Sequence, residues 1–138
     1  MRGAWTLTLS AMPRGWWTKN EEVTMSVPTD VRKKAEESLQ SFCDRRIPSH
    51  AKGQVRLSFV IRGNSVLLSE ERPRWDKPSE WLSMKVAHFR FDTEASKWSL
   101  HFRDRNERWH YYSLARPTKD FGKLLAEVDR DPSGIFWG

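Results

Sequence analysis

Three histidines set among aromatic residues are the first side chains in this sequence whose types and spacing could do chemistry. In KWSLHFRDRNERWHYY, residues 97–112, Trp98, Leu100, Phe102, Trp109 and Tyr111 fall at alternate positions, with His101 and His110 between them. Two antiparallel strands joined across Asp104–Glu107 would set Phe102 opposite Trp109, Leu100 opposite Tyr111 and His101 opposite His110. A second join across 92–97 sets Phe91 opposite Trp98, Phe89 opposite Leu100 and His88 opposite His101. The Trp, Leu, Phe and Tyr positions then form a core, and His88, His101 and His110 line up in one row on the other face. Directly opposite Cβ atoms lie roughly 4.5–5.5 Å apart, so three such imidazoles would suit zinc or iron with open coordination positions. Three adjacent strands nevertheless span about 9–10 Å, which is wide for one ion. The same row also reads as a polar binding surface or as packing under a helix.

The face that carries the histidines also carries Arg90, Arg103 and Tyr112, with Arg56 and Arg62 on the outer side of a preceding hairpin. Cations and flat rings on a sheet track phosphates and stack bases. A loop, RPRWDKPSEW, adds Arg72, Arg74 and Trp75. Nucleic-acid binding is therefore the leading expectation, with Arg72, Arg74, Arg90 and Arg103 on phosphate and Tyr112 or Trp75 stacking. Glu70 is out of place: it falls on the apolar side of its strand. It reads either as one half of a buried Glu–Arg pair or as a carboxylate with a raised pKa. A nuclease would recruit Glu70, Lys85 and Asp92, though their spacing matches no defined motif. Asp129 and Asp131 are explained by helix termination and turn initiation.

The elements that must position these residues follow from hydrophobic period. Val31, Ala35, Leu39 and Phe42 mark one face of a helix that Thr29 or Ser26 can cap, with Arg45 and Arg46 at its C-terminal end and Pro48 beyond it. Cys43 belongs to the same face and reads as structural. QVRLSFVIRGNSVLLSEE is a hairpin about Gly63-Asn64, setting Ile61 opposite Val66, Phe59 opposite Leu68, Leu57 opposite Glu70 and Arg56 opposite Glu71. MKVAHFRF, KWSLHFR and RWHYY supply three more strands, Val86 being assigned to the His88 and Arg90 face. A last helix begins near Thr118, with Phe121, Leu124, Leu125 and Val128 as its stripe. Asp131-Pro132-Ser133-Gly134 has type I turn chemistry, and Ile135, Phe136 and Trp137 should pack back onto the domain. The sum is an α+β fold: a five-stranded antiparallel meander sheet with an N-terminal and a C-terminal helix.

Composition bounds the function classes. A chain of 138 residues makes one domain. Its formal net charge of +6 fits a polyanionic partner, while charges of both signs also fit plain solubility. A single cysteine excludes an internal disulfide framework and a cysteine-based zinc site, and fits a reducing cytoplasm. No apolar run approaches the roughly 18 residues of a membrane span. Residues 1–24 hold no sustained period, and Pro13-Arg14-Gly15-Trp16-Trp17 stands where a signal peptide would need small residues. They are expected to be a flexible or extended segment ahead of a single domain over 25–138. Trp5, Trp16 and Trp17 offer a docking surface for a second copy or another protein. No Gly-rich phosphate loop, nucleophile elbow or Cys–His pair calls for a cofactor or decides for an enzyme.

The stretches VLLSEERPRW (66–75), AHFRF (87–91), KW (97–98), NERWHYY (106–112) and EVDRDPSGIFWG (127–138) carry a resemblance. From about Met25 to Gly138 the chain resembles a family of short bacterial proteins catalogued as domain-of-unknown-function number 3024. Position 88 holds His where that family's pattern has Lys, so the resemblance does not extend to a metal role for His88. It implies no activity. Three function classes stay open: nucleic-acid binding, a protein-interaction or oligomerisation module, and a metal-dependent hydrolase or nuclease.

Overall fold

The computed structural model describes residues 26–137; the segment expected as an extension, 1–24, lies outside the described residues. Helix α1 spans Thr29–Arg46 and buries Ala35, Leu39, Phe42 and Cys43, the i, i+4, i+7, i+8 stripe of its sequence. The expected side-chain cap is corrected, because no side chain caps this helix. Pro28 occupies the capping position with φ −56°, already close to the helical value, and its carbonyl accepts from Arg32 N at 2.8 Å.

Five strands follow: β1 Arg56–Arg62, β2 Ser65–Pro73, β3 Trp81–Asp92, β4 Lys97–Arg103 and β5 Trp109–Tyr111. They pair in sequence order as an antiparallel meander. The β1–β2 register has every expected pair, from Ile61 opposite Val66 to Arg56 opposite Glu71. Gly63 supplies the turn's positive φ of +60°, which a residue with a Cβ adopts at a cost. Strands β2 and β3 run longer than their apolar pattern suggests, so Pro73 pairs with Trp81 and only 74–80 remains a loop.

Between Leu68 and Ser69 the β2–β3 register shifts by one residue: Leu68 faces Ala87, but Ser69 faces Lys85. Val86 is the extra residue of a β-bulge. This corrects its assignment to the His88 face, since Val86 and Ala87 are both buried in the core.

Helix α2 spans Phe121–Arg130 and buries Phe121, Leu124, Leu125 and Val128. It begins later than expected near Thr118, because Thr118 exchanges backbone hydrogen bonds with Trp98 (2.7 and 2.9 Å) and extends the sheet instead. Asp120 caps the helix, its carboxylate accepting from Gly122 N at 3.0 Å. Beyond α2, the Asp131 carboxylate accepts from Phe136 N (3.1 Å) and Trp137 N (2.9 Å). The Trp137 indole donates to the Val128 carbonyl at 2.7 Å. Arg46 lies 4.0 Å above the same indole and bonds Asp129 at 2.6 Å, which ties the two helices together. Both helices cover one face of the sheet, over Val66, Leu68, Ala87, Phe89, Phe91, Trp98 and Leu100. The fold is α+β. Among the described residues no helix is long and apolar enough to cross a membrane.

Candidate functional site

The other face of the sheet is open. By strand alternation it presents Val60 and Arg62 from β1, Ser65, Leu67 and Ser69 from β2, and Lys85, His88 and Arg90 from β3. Ser99, His101 and Arg103 from β4 join them, with Trp109 and Tyr111 from β5. On a flat sheet β1 and β5 would stand four strand spacings, about 19 Å, apart. Here Val60 of β1 and Trp109 of β5 line one cavity of about 470 Å³, together with Leu67, Ser69, Lys85, His88 and the β1–β2 turn. Trp109 reaches this far by leaning across β4, its ring 5.2 Å from that of His88, and the trough it walls has the bulge beneath it. Bulges increase local twist, which is what a trough of this kind requires.

Polar side chains with few partners among the described residues line the trough. Ser69 is only 7% exposed, and its hydroxyl has no hydrogen-bond partner among the described residues. His88 makes ring contacts with Trp109 (5.2 Å) and His101 (5.7 Å) but no hydrogen bond. Burial pushes its pKa down to about 4, helped by His101 and Arg90. His101 is also lowered, by burial and then by Arg90, and its Nε2 lies 3.0 Å from Ser99 Oγ. Both rings are thus neutral at pH 7, each offering one donor and one acceptor.

The charges on this face divide in two. Arg56 binds Glu71 at 2.7 Å and rests 3.9 Å from the Trp81 ring; Arg103 binds Glu107 at 2.8 Å. The Nε of Arg103 is buried without a partner. Arg62, Lys85 and Arg90, by contrast, have no acidic partner among the described residues. Three uncompensated cations stand around a largely apolar trough.

The sequence-derived site residues scatter more than expected. The Glu70 carboxylate accepts from Arg72 at 3.3 Å, but Glu70 is half-buried and Arg72 exposed, so the expected burial of this pair is corrected. Arg74 forks onto Asp76 (3.0 and 2.7 Å) and reaches Glu80 at 3.0 Å, so its charge is spent within its own loop. Trp75 is 93% exposed. Arg90 and Arg103 do share the open face.

The row of three histidines is corrected. His88 faces His101, but His101 faces Tyr111, and His110 faces Phe102. The cause is the β4–β5 loop, which has five residues instead of four. Asp104 carboxylate accepts from Asn106 N (2.8 Å) and Arg108 N (2.9 Å), and Glu107 takes φ 66°. One added residue reverses the parity of β5. His110 therefore stacks on Phe102 at 5.3 Å and bonds Asp104 at 2.6 Å, away from the other two. The contacts with Arg108 N and then His110 hold the Asp104 carboxyl below its usual range.

The same slip corrects Tyr112, which is 2% exposed and not on the cationic face. Its hydroxyl donates to Glu127 at 2.8 Å, and burial followed by Glu127 pushes its pKa up to about 12. Trp109 moves the other way, from expected core to trough wall. No group of three His, Cys, Asp or Glu among the described residues could hold a metal. Nor does the fold assemble the nuclease set. Lys85 points into the trough, Glu70 lies on the helix side, and Asp92 closes a turn by accepting from Glu94 N (2.9 Å) and Ala95 N (3.3 Å).

Lys85 was legible only as a member of the nuclease set, and Ser69 and Trp109 were not singled out as site residues. The open-face position of Lys85 depends on the bulge and that of Trp109 on the five-residue loop, neither of which carries a Gly or Pro marker. No curated protein and no solved structure matches the chain. The family expected from the sequence is found: the chain belongs to the family described as Domain of unknown function (DUF3024), whose model matches residues 27–138.

Proposed function

We propose that the open face of the sheet binds single-stranded nucleic acid. The observation that carries this reading is the set of three unpaired cations, Arg62, Lys85 and Arg90, around a trough walled by Trp109, His88, Val60 and Leu67. Cations that neutralise phosphates, beside rings that stack bases, are the two parts of a sequence-tolerant single-strand site. A trough walled on one side by the leaning Trp109 ring suits a splayed single strand better than a duplex. The net charge of +6 adds attraction at long range. Such a role and a lone buried thiol both fit the cytoplasm.

The test is fluorescence anisotropy with labelled single- and double-stranded oligonucleotides across a salt series. Three phosphates neutralised on a single strand give a log–log slope of about −2. Arg62→Ala, Lys85→Ala and Arg90→Ala should each flatten it by about 0.7. Absence of binding at low salt, or binding untouched by the triple replacement, refutes the reading.

A second reading has one observation of its own. Leu82 and Met84, on the helix side of β3 beyond the helices, are both more than half exposed. That favours a protein contact there, a second copy included, and sedimentation across a range of protein concentrations tests it.

A further inference from the structure

Polar groups that line an apolar cavity without a partner inside the protein mark where something else can bind, because each keeps a donor or acceptor to offer. Ser69 is such a group: the residue is 7% exposed and lines the cavity, and its hydroxyl, still open to that cavity, has no hydrogen-bond partner among the described residues. His88 is another, a half-buried neutral ring with neither nitrogen hydrogen-bonded among the described residues. Lys85 adds an exposed ammonium with no acid beside it among the described residues. Around them the walls are apolar and include one indole, Trp109, with Val60 and Leu67. At about 470 Å³ the cavity is in the size range that takes small molecules.

Phosphate alone does not fit this combination. An anion would accept from Lys85, Ser69 and the His88 N–H, but it would leave an aliphatic and indole wall bare and give no donor to the other His88 nitrogen. A purely apolar ligand would leave the hydroxyl, the imidazole and the ammonium unsatisfied. A planar ring with both donors and acceptors on its edge satisfies all three and covers the walls with its faces.

Resting on the reading of the open face as a single-strand site, we infer that the cavity takes one unstacked nucleobase of the bound strand. Trp109, Val60 and Leu67 enclose its faces, and Ser69, His88 and Lys85 meet its edge. Arg62 and Arg90 are left to the flanking phosphates. The site is thus a strand-binding face with one base-reading position, and the apolar slot supplies affinity that the charges do not.

The experiment compares two labelled strands of equal length and equal phosphate number, one a homopolymer with bases and one wholly abasic, on the full chain. Base stacking is worth about 1–3 kcal/mol per base, so the abasic strand should bind about tenfold more weakly or worse with an unchanged salt slope. Val60→Trp, at a position 51% exposed and so tolerant of size, should fill the slot and bring the two strands to the same affinity. Equal affinity of both strands for the unmodified protein, with the salt slope intact, overturns the base slot and leaves phosphate tracking standing. Failure of both strands to bind at low salt removes the single-strand reading itself. A difference between the strands that Val60→Trp leaves unchanged also overturns the slot, by placing base contact elsewhere.

Discussion

Acidification from about pH 7 to about pH 4 is the perturbation that bears most directly on the trough, through His88. Burial first, then His101 and Arg90, lower its pKa from 6.5 to about 4. Above about pH 6.5 the ring is neutral in both folded and unfolded chains and contributes nothing to pH dependence. Below that, the unfolded chain takes up a proton that the folded chain refuses, so stability falls with falling pH and levels off near pH 4. Each pH unit of displacement corresponds to about 1.4 kcal/mol, which sets a ceiling of about 3 kcal/mol. The ring is part-exposed, and screening by water reduces this to about 1–2 kcal/mol. Arg90, Lys85 and His101 face the ring from β3 and β4, with Trp109 from β5, so among the described residues no acid reverses the sign. The assay is urea denaturation of the native sequence and of His88→Phe at both pH values. The native protein should lose about 1–2 kcal/mol more than the variant on acidification. The contribution of Asp104 appears in both and cancels, whereas that of His101, which lies against His88 and helps lower its pKa, changes with the replacement and belongs to the same pair. An imidazole titrating near 6.5 by NMR, or identical losses in the two proteins, would refute the burial argument and with it the neutral ring in the trough.

Other consequences are open to measurement. Cys43 is pushed up to about 11 by burial and then by Asp44, so a disulfide reagent at pH 8 should label the native protein slowly and the urea-denatured protein at the rate of a free thiol. Phe42→Ala removes a fully buried ring from α1 and should cost about 3–5 kcal/mol in denaturation. Gly63→Ala forces a Cβ into a positive φ with open space around it, so the loss of about 1–2 kcal/mol should come from the backbone alone. Gly63→Asn should recover part of that loss, because Asn tolerates this conformation better than Ala.

Elements with a local cause were readable from the residues. The α1 and α2 stripes repeat at helical spacing over eight residues or more, and the Gly63-Asn64 turn fixed the β1–β2 register without outside help. The β3–β4 register followed from turn length alone, with His88 opposite His101 and Phe89 opposite Leu100. What escaped was parity. An extra residue at Val86 reverses the strand before it, Lys85 included, and a fifth residue in the β4–β5 loop reverses every side chain after it. Val86 is drawn into the core, and Asp104 finds two backbone amides it can hold. Since a site on a sheet is a matter of which face a residue points to, the bulge was enough to misplace Val86 and Lys85, and the loop to misplace Tyr112, His110 and Trp109. The charged loop failed for another reason. Arg72 and Arg74 found acids within six residues of themselves, a pairing that composition does not reveal.

The bond between Arg46 and Asp129 joins residues 83 positions apart, and it has a consequence for how the chain is made. A ribosome releases α1 and then the strands in the order in which they pair, so the meander can assemble as it emerges. The roof over it cannot, because Leu124, Leu125 and Val128 come late, and Trp137, which locks them through Arg46 and the Val128 carbonyl, comes later still. Throughout most of synthesis the nascent domain must therefore carry an unroofed apolar sheet. That is the interval in which a chaperone, or an aggregate, would find it.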